Sequence, residues 1–436
     1  MLAALTGCAA LLSGCATYHS KPLPGGPDLA RSPALTVPAG SLGVPGLRSD
    51  PFDPTRGLTE TNIVALAVAA NPRLRAARLK AGVARAQLLA AGLLPDPQIS
   101  GGLSQSSFFT GYSATLAQDI QALVTRSAAK DTARAHLEEV NLDILWREWQ
   151  VGERARELYI QTVALAELRG VLDQQRRLLG KLQRDDETLL AHGDLTVGEA
   201  TADFMACNSA EAQWRAFELQ DNQTRHALDE LLGLAPGTQL RLRDAREERQ
   251  VTAAGYRSAL AALPRRRPDL RALQAGYHSA QEQLRAAILA QFPLISAGVT
   301  KARSAEDGIQ SIGFDVTLTL PLFDRNRGPI AAGRASRAYL HQTYQASLDE
   351  TTSQADQVWQ AVVIMRYQLR RLDQRLAGLE RAATAARDSL GRGTLTFADY
   401  ARVQSDALAT EAEEIGLRSA LAQAQSALSL LLALPF

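Results

Sequence analysis

The side chains that most often do chemistry are few in this sequence and poorly spaced for it. The three cysteines are Cys8, Cys15 and Cys207, and none stands in a Cys-x-x-Cys pair, so neither a zinc site nor a dithiol redox motif is predicted. The six histidines (His19, His136, His192, His226, His278, His341) share no His-Glu-x-x-His or other ligand spacing, so no metal site is predicted. Serines, histidines and aspartates are scattered without a nucleophile elbow, and no Gly-x-Gly-x-x-Gly loop cradles a phosphate. An enzyme is therefore not expected, and no cofactor is expected either. One modification motif remains. Leu12-Ser13-Gly14-Cys15 has the pattern of a bacterial lipobox, in which the cysteine becomes a lipid-modified N-terminus, and residues 1–15 read as an export signal. Leu5-Thr6-Gly7-Cys8 fits the same pattern but has too short an apolar run before it. The basic residues that normally lead such a run are missing, so a start further upstream is expected.

Composition narrows the class. With 47 Lys+Arg against 46 Asp+Glu the net charge is +1, which gives no electrostatic footprint for nucleic acid. No run approaches about 18 consecutive apolar residues, so no transmembrane helix is predicted, although β-barrel strands leave a weaker trace. Residues 16–57 carry eight prolines between Pro22 and Pro54 and read as an extended tether. No proline then occurs between Pro97 and Pro236, or between Pro329 and Pro435, which marks long helices.

The chain repeats itself. Asn71-Pro72-Arg73-Leu74 answers Arg267-Pro268-Asp269-Leu270 at an offset of 196, and Pro97-Gln98-Ile99-Ser100 answers Pro293-Leu294-Ile295-Ser296 at the same offset. Gly193-Asp194-Leu195-Thr196 answers Gly393-Thr394-Leu395-Thr396 at 200. The predicted organisation is a tandem duplication, 58–250 and 251–436, each reading helix, strand, loop, strand, long helix, tight turn, helix. Strands are expected near 98–120 and 294–323, and the opening helices over 58–94 and 256–291. Leu158, Leu165, Leu172 and Leu179 fall seven apart, with Val358, Met365, Leu372 and Leu379 in the same register of the second repeat. That spacing makes a coiled-coil seam along a helix expected over about 124–192.

Ile312, Phe314, Val316, Leu318 and Leu320 alternate with Ser311, Gly313, Asp315, Thr317 and Thr319. Such segments suit barrel strands with one face to lipid and one to a polar lumen, although a small soluble sheet would also alternate. Four strands cannot close a barrel, and an open edge in lipid leaves backbone groups unsatisfied. Transmembrane strands would thus require oligomers, and three copies would supply about twelve strands.

At the predicted tips Gly193 and Gly393 suit left-handed C′ positions, and Thr196 and Thr396 suit N-caps, with Glu199 and Asp399 three residues on as capping-box partners. Asp324-Arg325-Asn326-Arg327-Gly328-Pro329 reads as a structural junction between the last strand and a long helix. Asp185-Asp186-Glu187 reads as a solvated helix face and Arg265-Arg266-Arg267 as the flank of a helix start. Trp146, Trp149, Trp214, Trp359 and Cys207 read as packing residues.

These features together resemble the TolC-type outer-membrane efflux protein family, the outer-membrane factors of tripartite pumps. The match is carried by Asn71-Pro72-x-Leu74-x-x-x-Arg78, Leu94-Pro95-x-Pro97-x-Ile99-Ser100, Leu320-Pro321-Leu322-Phe323-Asp324-Arg325-Asn326-Arg327-Gly328 and the two Gly-x-Leu-Thr turns. It spans about 58–434, and the Leu320–Gly328 segment is most similar to the heavy-metal (CzcC-like) branch. The resemblance implies a mainly α fold with a small β part that forms a homotrimeric α-barrel/β-barrel. That channel would sit in the outer membrane, lipid-anchored through Cys15, with its helical barrel in the periplasm. It also implies a periplasmic adaptor protein and an inner-membrane pump of the RND type as partners, with outer-membrane lipid around the strands. The implied function is a passive conduit exporting metal ions or small molecules; a type I secretion channel and a lipid-tethered periplasmic coiled-coil scaffold stay open. The tips, with Gly193, Leu195, Thr196, Gly393, Leu395 and Thr396, would contact the adaptor or be plain turns. In the family an acidic ring follows the second tip, where Asp399 stands as either gate or helix cap. The family's next acidic position is Arg402 here, which allows an Asp399–Arg402 contact between protomers.

Overall fold

The computed structural model describes residues 18–32, 57–107, 110–243 and 251–435. The export segment and Cys15 lie outside the described residues. In the first half the elements are α1 (Glu60–Ala70), α2 (Pro72–Gly92), β1 (Gln98–Gln105), β2 (Thr110–Asp119), α3 (Gln121–His192) and α4 (Val197–Leu232). The second half repeats the order with α5 (Ala253–Arg266), α6 (Pro268–Leu289), β3 (Leu294–Arg303), β4 (Gln310–Thr319), α7 (Arg327–Gly391) and α8 (Phe397–Leu431). At 72 and 65 residues, α3 and α7 extend about 108 and 98 Å at a rise of 1.5 Å per residue.

Each repeat opens with two helices where the sequence suggested one. Pro72 and Pro268 force the break, because a proline disfavours helical backbone in the residue before it and offers no N–H. The preceding residues, Asn71 and Arg267, both take extended ψ values, 122° and 120°. Asn71 closes α1 through its N–H to the Ala67 carbonyl (3.0 Å) and opens α2 by accepting the Leu74 N–H on Oδ1 (3.0 Å). Its Nδ2 also donates to the Leu231 carbonyl at 2.9 Å. Arg267 makes the corresponding tie in the second repeat without a side-chain cap, its Nη1 donating to the Leu431 carbonyl at 3.1 Å while its guanidinium lies 4.5 Å above the Trp146 ring. Arg267 thus flanks the start of α6 as expected, and it is also a buried tie between helices.

The long helix α3 is the centre of the packing, in contact with α2, α4, α6 and α8. Its heptad leucines are all buried, at 1–6% exposure for Leu158, Leu165, Leu172 and Leu179. Around Leu158 and Tyr159 the largest apolar cluster gathers Ile63, Leu66, Leu228 and Leu232. The matching seam on α7 is shallower, with Leu372 buried and Val358, Met365 and Leu379 half-buried, and beside it Tyr339, Ile364 and Tyr367 are 70%, 55% and 55% exposed. The chain before α1 is stitched to the segment joining the repeats by bridges from Ala30 to Leu234 and from Leu58 to Leu242.

The strands form one antiparallel sheet in the order β1-β2-β3-β4, so the two hairpins pair through β2 and β3. The second hairpin ends at Thr319, short of the expected 323, because Pro321 cannot donate to a ladder. Beyond it Arg325 and Asn326 take left-handed backbone (φ 48° and 53°) to turn the chain into α7, and Asn326 Nδ2 donates to the Ala287 carbonyl at 2.6 Å.

Candidate functional site: an uncovered sheet and two hairpin tips

Register sorts the sheet into two chemically different faces. Leu116 stands opposite Ile99 on one side and Val299 on the other, and Val299 stands opposite Phe314. On that face Ile99, Leu103, Ile312, Phe314 and Val316 are 70–85% exposed. The opposite face carries Ser100, Ser113, Thr115, Ser296, Thr300, Asp315 and Thr317. Thr115 and Thr300 hydroxyls meet at 2.7 Å, and the Thr300 hydroxyl also donates to Asp315. No helix covers either face: every described residue of β1 and β4 is exposed. Burying one Phe or Leu side chain is worth about 1.5–3 kcal/mol, so a face this apolar left open to water is costly and requires a nonaqueous cover.

At the other end of the long helices lie the tips. Gly193 (φ 80°) and Gly393 (φ 70°) supply the left-handed residue that ends α3 and α7. The Gly193 and Asp194 N–H groups donate to the Leu190 and Leu189 carbonyls at 3.1 and 2.9 Å. Gly393 and Thr394 repeat the pattern onto Leu390 and Ser389, both at 3.0 Å. At the first tip Thr196 accepts the Glu199 N–H on Oγ1 (3.4 Å), while Glu199 Oε2 accepts both the Thr196 N–H (2.9 Å) and hydroxyl (2.7 Å). Those hydrogen bonds hold the Glu199 carboxyl below the usual carboxylate range. At the second tip Thr396 accepts the Asp399 N–H at 3.1 Å, but Asp399 reaches only the Thr396 hydroxyl, at 2.7 Å. Leu195 and Leu395, the two leucines of the turns, sit beside these caps and are half-exposed.

Arg402, one turn past Asp399, is engaged within its own chain. Its Nη2 and Nε lie 2.7 and 3.1 Å from the two carboxylate oxygens of Asp203 on α4, against 3.5 Å from Nη1 to Asp399. The main partner of Arg402 is therefore Asp203, which sequence reasoning did not single out. The run Asp185-Asp186-Glu187 is likewise not a uniformly solvated face, since Asp186 is 4% exposed and turned in toward Asp203 and Arg402. Neither residue carries a local signal, because each is buried by helices nearly 200 positions distant or across the turn.

Among the described residues no group of three or more His, Cys, Asp or Glu side chains could hold a metal ion. No described helix is long and apolar enough to cross a membrane. A cavity of about 780 Å³ between α3, α4 and the 237–242 segment is lined by the ion-paired Arg169, Asp221 and Arg225. Cys207 is buried, which pushes its thiol pKa up and makes it unreactive.

Comparison with known proteins agrees with this architecture. No curated protein matches the sequence. Among solved structures, the chain is similar to CusC, studied for conformational changes accompanying folding and transmembrane channel formation, at 17% identity, covering 96% of this chain and 99% of that one with a TM-score of 0.66. It is similar to the Campylobacter jejuni CmeC outer membrane channel at 14% identity, 86% of each chain and a TM-score of 0.70. The Vibrio cholerae outer membrane protein VceC matches at 16% identity, covering 86% of this chain and 96% of that one with a TM-score of 0.67. Residues 241–434, which take in nearly all of the second repeat, match the family described as outer membrane efflux protein, and nearly the whole chain has the fold of solved outer-membrane channels.

Proposed function

We propose that this chain is a member of the TolC-type outer-membrane efflux family and serves as the outer-membrane channel of a tripartite efflux system, a passive conduit for metal ions or other small molecules. The observation that carries this reading is the sheet, apolar on one face and hydroxyl-lined on the other, with β1 and β4 paired on one side only. In lipid an unpaired strand edge costs several kcal/mol per unsatisfied group, so the edges must pair with further copies. A homotrimer of about twelve strands closes the barrel, turns the apolar face to outer-membrane lipid and gives the hydroxyl face to a water-filled lumen. The exposed side of α7 becomes the seam between neighbouring protomers in the periplasmic helical barrel, and Cys15 carries the lipid anchor. The tips, with Gly193, Leu195, Thr196, Gly393, Leu395 and Thr396, dock a periplasmic adaptor joined to an inner-membrane pump of the RND type. Asp399 and Arg402 form the gate there. The similarity of the Leu320–Gly328 segment to the heavy-metal branch supports metal ions as the first cargo to test.

Planar-bilayer conductance of the membrane-extracted protein, with its mass determined in the same detergent, tests the reading. A conducting trimer is expected; a water-soluble, non-conducting monomer overturns it. In the conducting protein Asp399→Ala raises single-channel conductance, and unchanged conductance removes Asp399 from the gate.

A further inference from the structure

Asp186 is a buried carboxylate to which the channel reading gives no role. It lies on α3 just before the first tip, 4% exposed, and its Oδ2 has no hydrogen-bond partner. The charged groups around it come from all three helices that meet there: Asp185 on its own helix, Asp203 on α4 and Arg402 on α8. Asp203 is 5% exposed, and both its oxygens are occupied by Arg402, whose remaining arm reaches Asp399. Two buried carboxylates thus stand near one guanidinium, and only Asp203 is hydrogen-bonded to it. An orphaned buried acceptor is costly, and more so when charged. A second carboxylate cannot satisfy it, since neither group has a donor. The missing partner is a hydrogen, and a proton on Asp186 supplies an O–H that donates to Asp203.

We propose that Asp186 is a proton-binding site that locks the tip: protonated, it bonds Asp203 and leaves the Asp203–Arg402 clamp intact across α3, α4 and α8. Ionised, it repels Asp203, competes for Arg402 and slackens the clamp, its proton passing to bulk water. Burial first, then the Asp203 charge, raises the Asp186 pKa above its ordinary 3.8. A folded-state pKa above the unfolded value means that the stabilisation is complete at acid pH and is lost as pH rises through the raised value. The site occurs once per chain, because the repeat-related positions are Ala386, Val403 and Ala202. Acid therefore tightens the clamp, and the clamp slackens as pH rises through the raised value.

The consequence for conduction rests on the channel reading; the clamp does not. Hydrogen exchange of the full-length protein in detergent, followed at residues 194–200 and 393–403 and corrected for intrinsic rate, reads the clamp directly. Protection should fall by about threefold or more between pH 4.5 and pH 7.5 in the native chain. Asp186→Asn, which keeps a permanent donor toward Asp203, should hold the protected level at both pH values. Equal pH dependence in the native and Asp186→Asn proteins, or none in either, overturns the proposal. Bilayer conductance at the same two pH values separates the two readings. A pH-dependent tip in a protein that never conducts keeps the clamp and rejects the channel. A conducting protein with a pH-independent tip keeps the channel and rejects the clamp.

Discussion

The two hairpin tips share a backbone and differ in how their acids are used. Both end a long helix on a left-handed glycine and start the return helix on a threonine cap. In the first, Glu199 is long enough to reach back to the Thr196 N–H as well as the hydroxyl, both through Oε2. In the second, Asp399 is one methylene shorter and stops at the Thr396 hydroxyl, which leaves its other oxygen facing Arg402. The first tip is a closed local unit; the second is open to partners outside its own turn. One methylene thus decides whether the capping box closes, and Arg402, where the first tip has Ala202, decides whether the carboxylate joins a network between repeats.

The largest expected effect comes from removing that network. Arg402→Ala leaves Asp203 buried beside Asp186 without a counter-charge. Because half of the arginine is solvent-exposed, local destabilisation of about 2 kcal/mol is expected rather than the full cost of breaking a buried pair. Hydrogen exchange at 393–403 should show it, with 194–200 following because Asp203 sits on α4. An effect confined to 393–403 would mean that the two tips are energetically separate.

Alanine at either turn glycine comes next. Gly193→Ala and Gly393→Ala each force a side chain into positive φ and should cost about 1 kcal/mol of tip stability by the same measurement. Near-equal losses are expected, because the backbone geometry is shared. Thr196→Ala and Thr396→Ala should differ instead. Loss of a cap hydroxyl costs about 1 kcal/mol, and the first tip still keeps the bond from the residue-196 backbone N–H to Glu199, which alanine also donates, so it should lose less.

The smallest effect is the exchange of the acids. Asp399→Glu should complete the second capping box and weaken the Arg402 contact, and Glu199→Asp should open the first box. Glu199 also makes the first tip pH-dependent in the opposite sense to Asp186. Its pKa is lowered from 4.5 by the Thr196 hydrogen bonds, so the stabilisation is present above that value and fades as pH falls through the lowered one. Amide chemical shifts of the 196–199 turn across that range should report the change, and Glu199→Gln should abolish it.

Much of this molecule is written in local pattern. Heptad leucines, left-handed glycines, threonine caps and two-residue alternation each depend on neighbours within about a turn or a strand pair, so the duplication, α3, both tips and the two-faced hairpins are legible in the residues. The break at Asn71-Pro72 was legible too, since proline restricts its predecessor, yet helical periodicity on both sides masks it. What the tertiary structure alone decided is pairing across distance. The β2–β3 register joins hairpins almost 200 residues apart, and Asn71 and Arg267, unlike in chemistry, do one job on the Leu231 and Leu431 carbonyls. Asp186 looks like a surface acid in its own helix and becomes a buried one only when α4 and α8 close over it. The spacing of a charge along one helix sets which face it occupies, but whether that face meets water or another charge depends on what packs there.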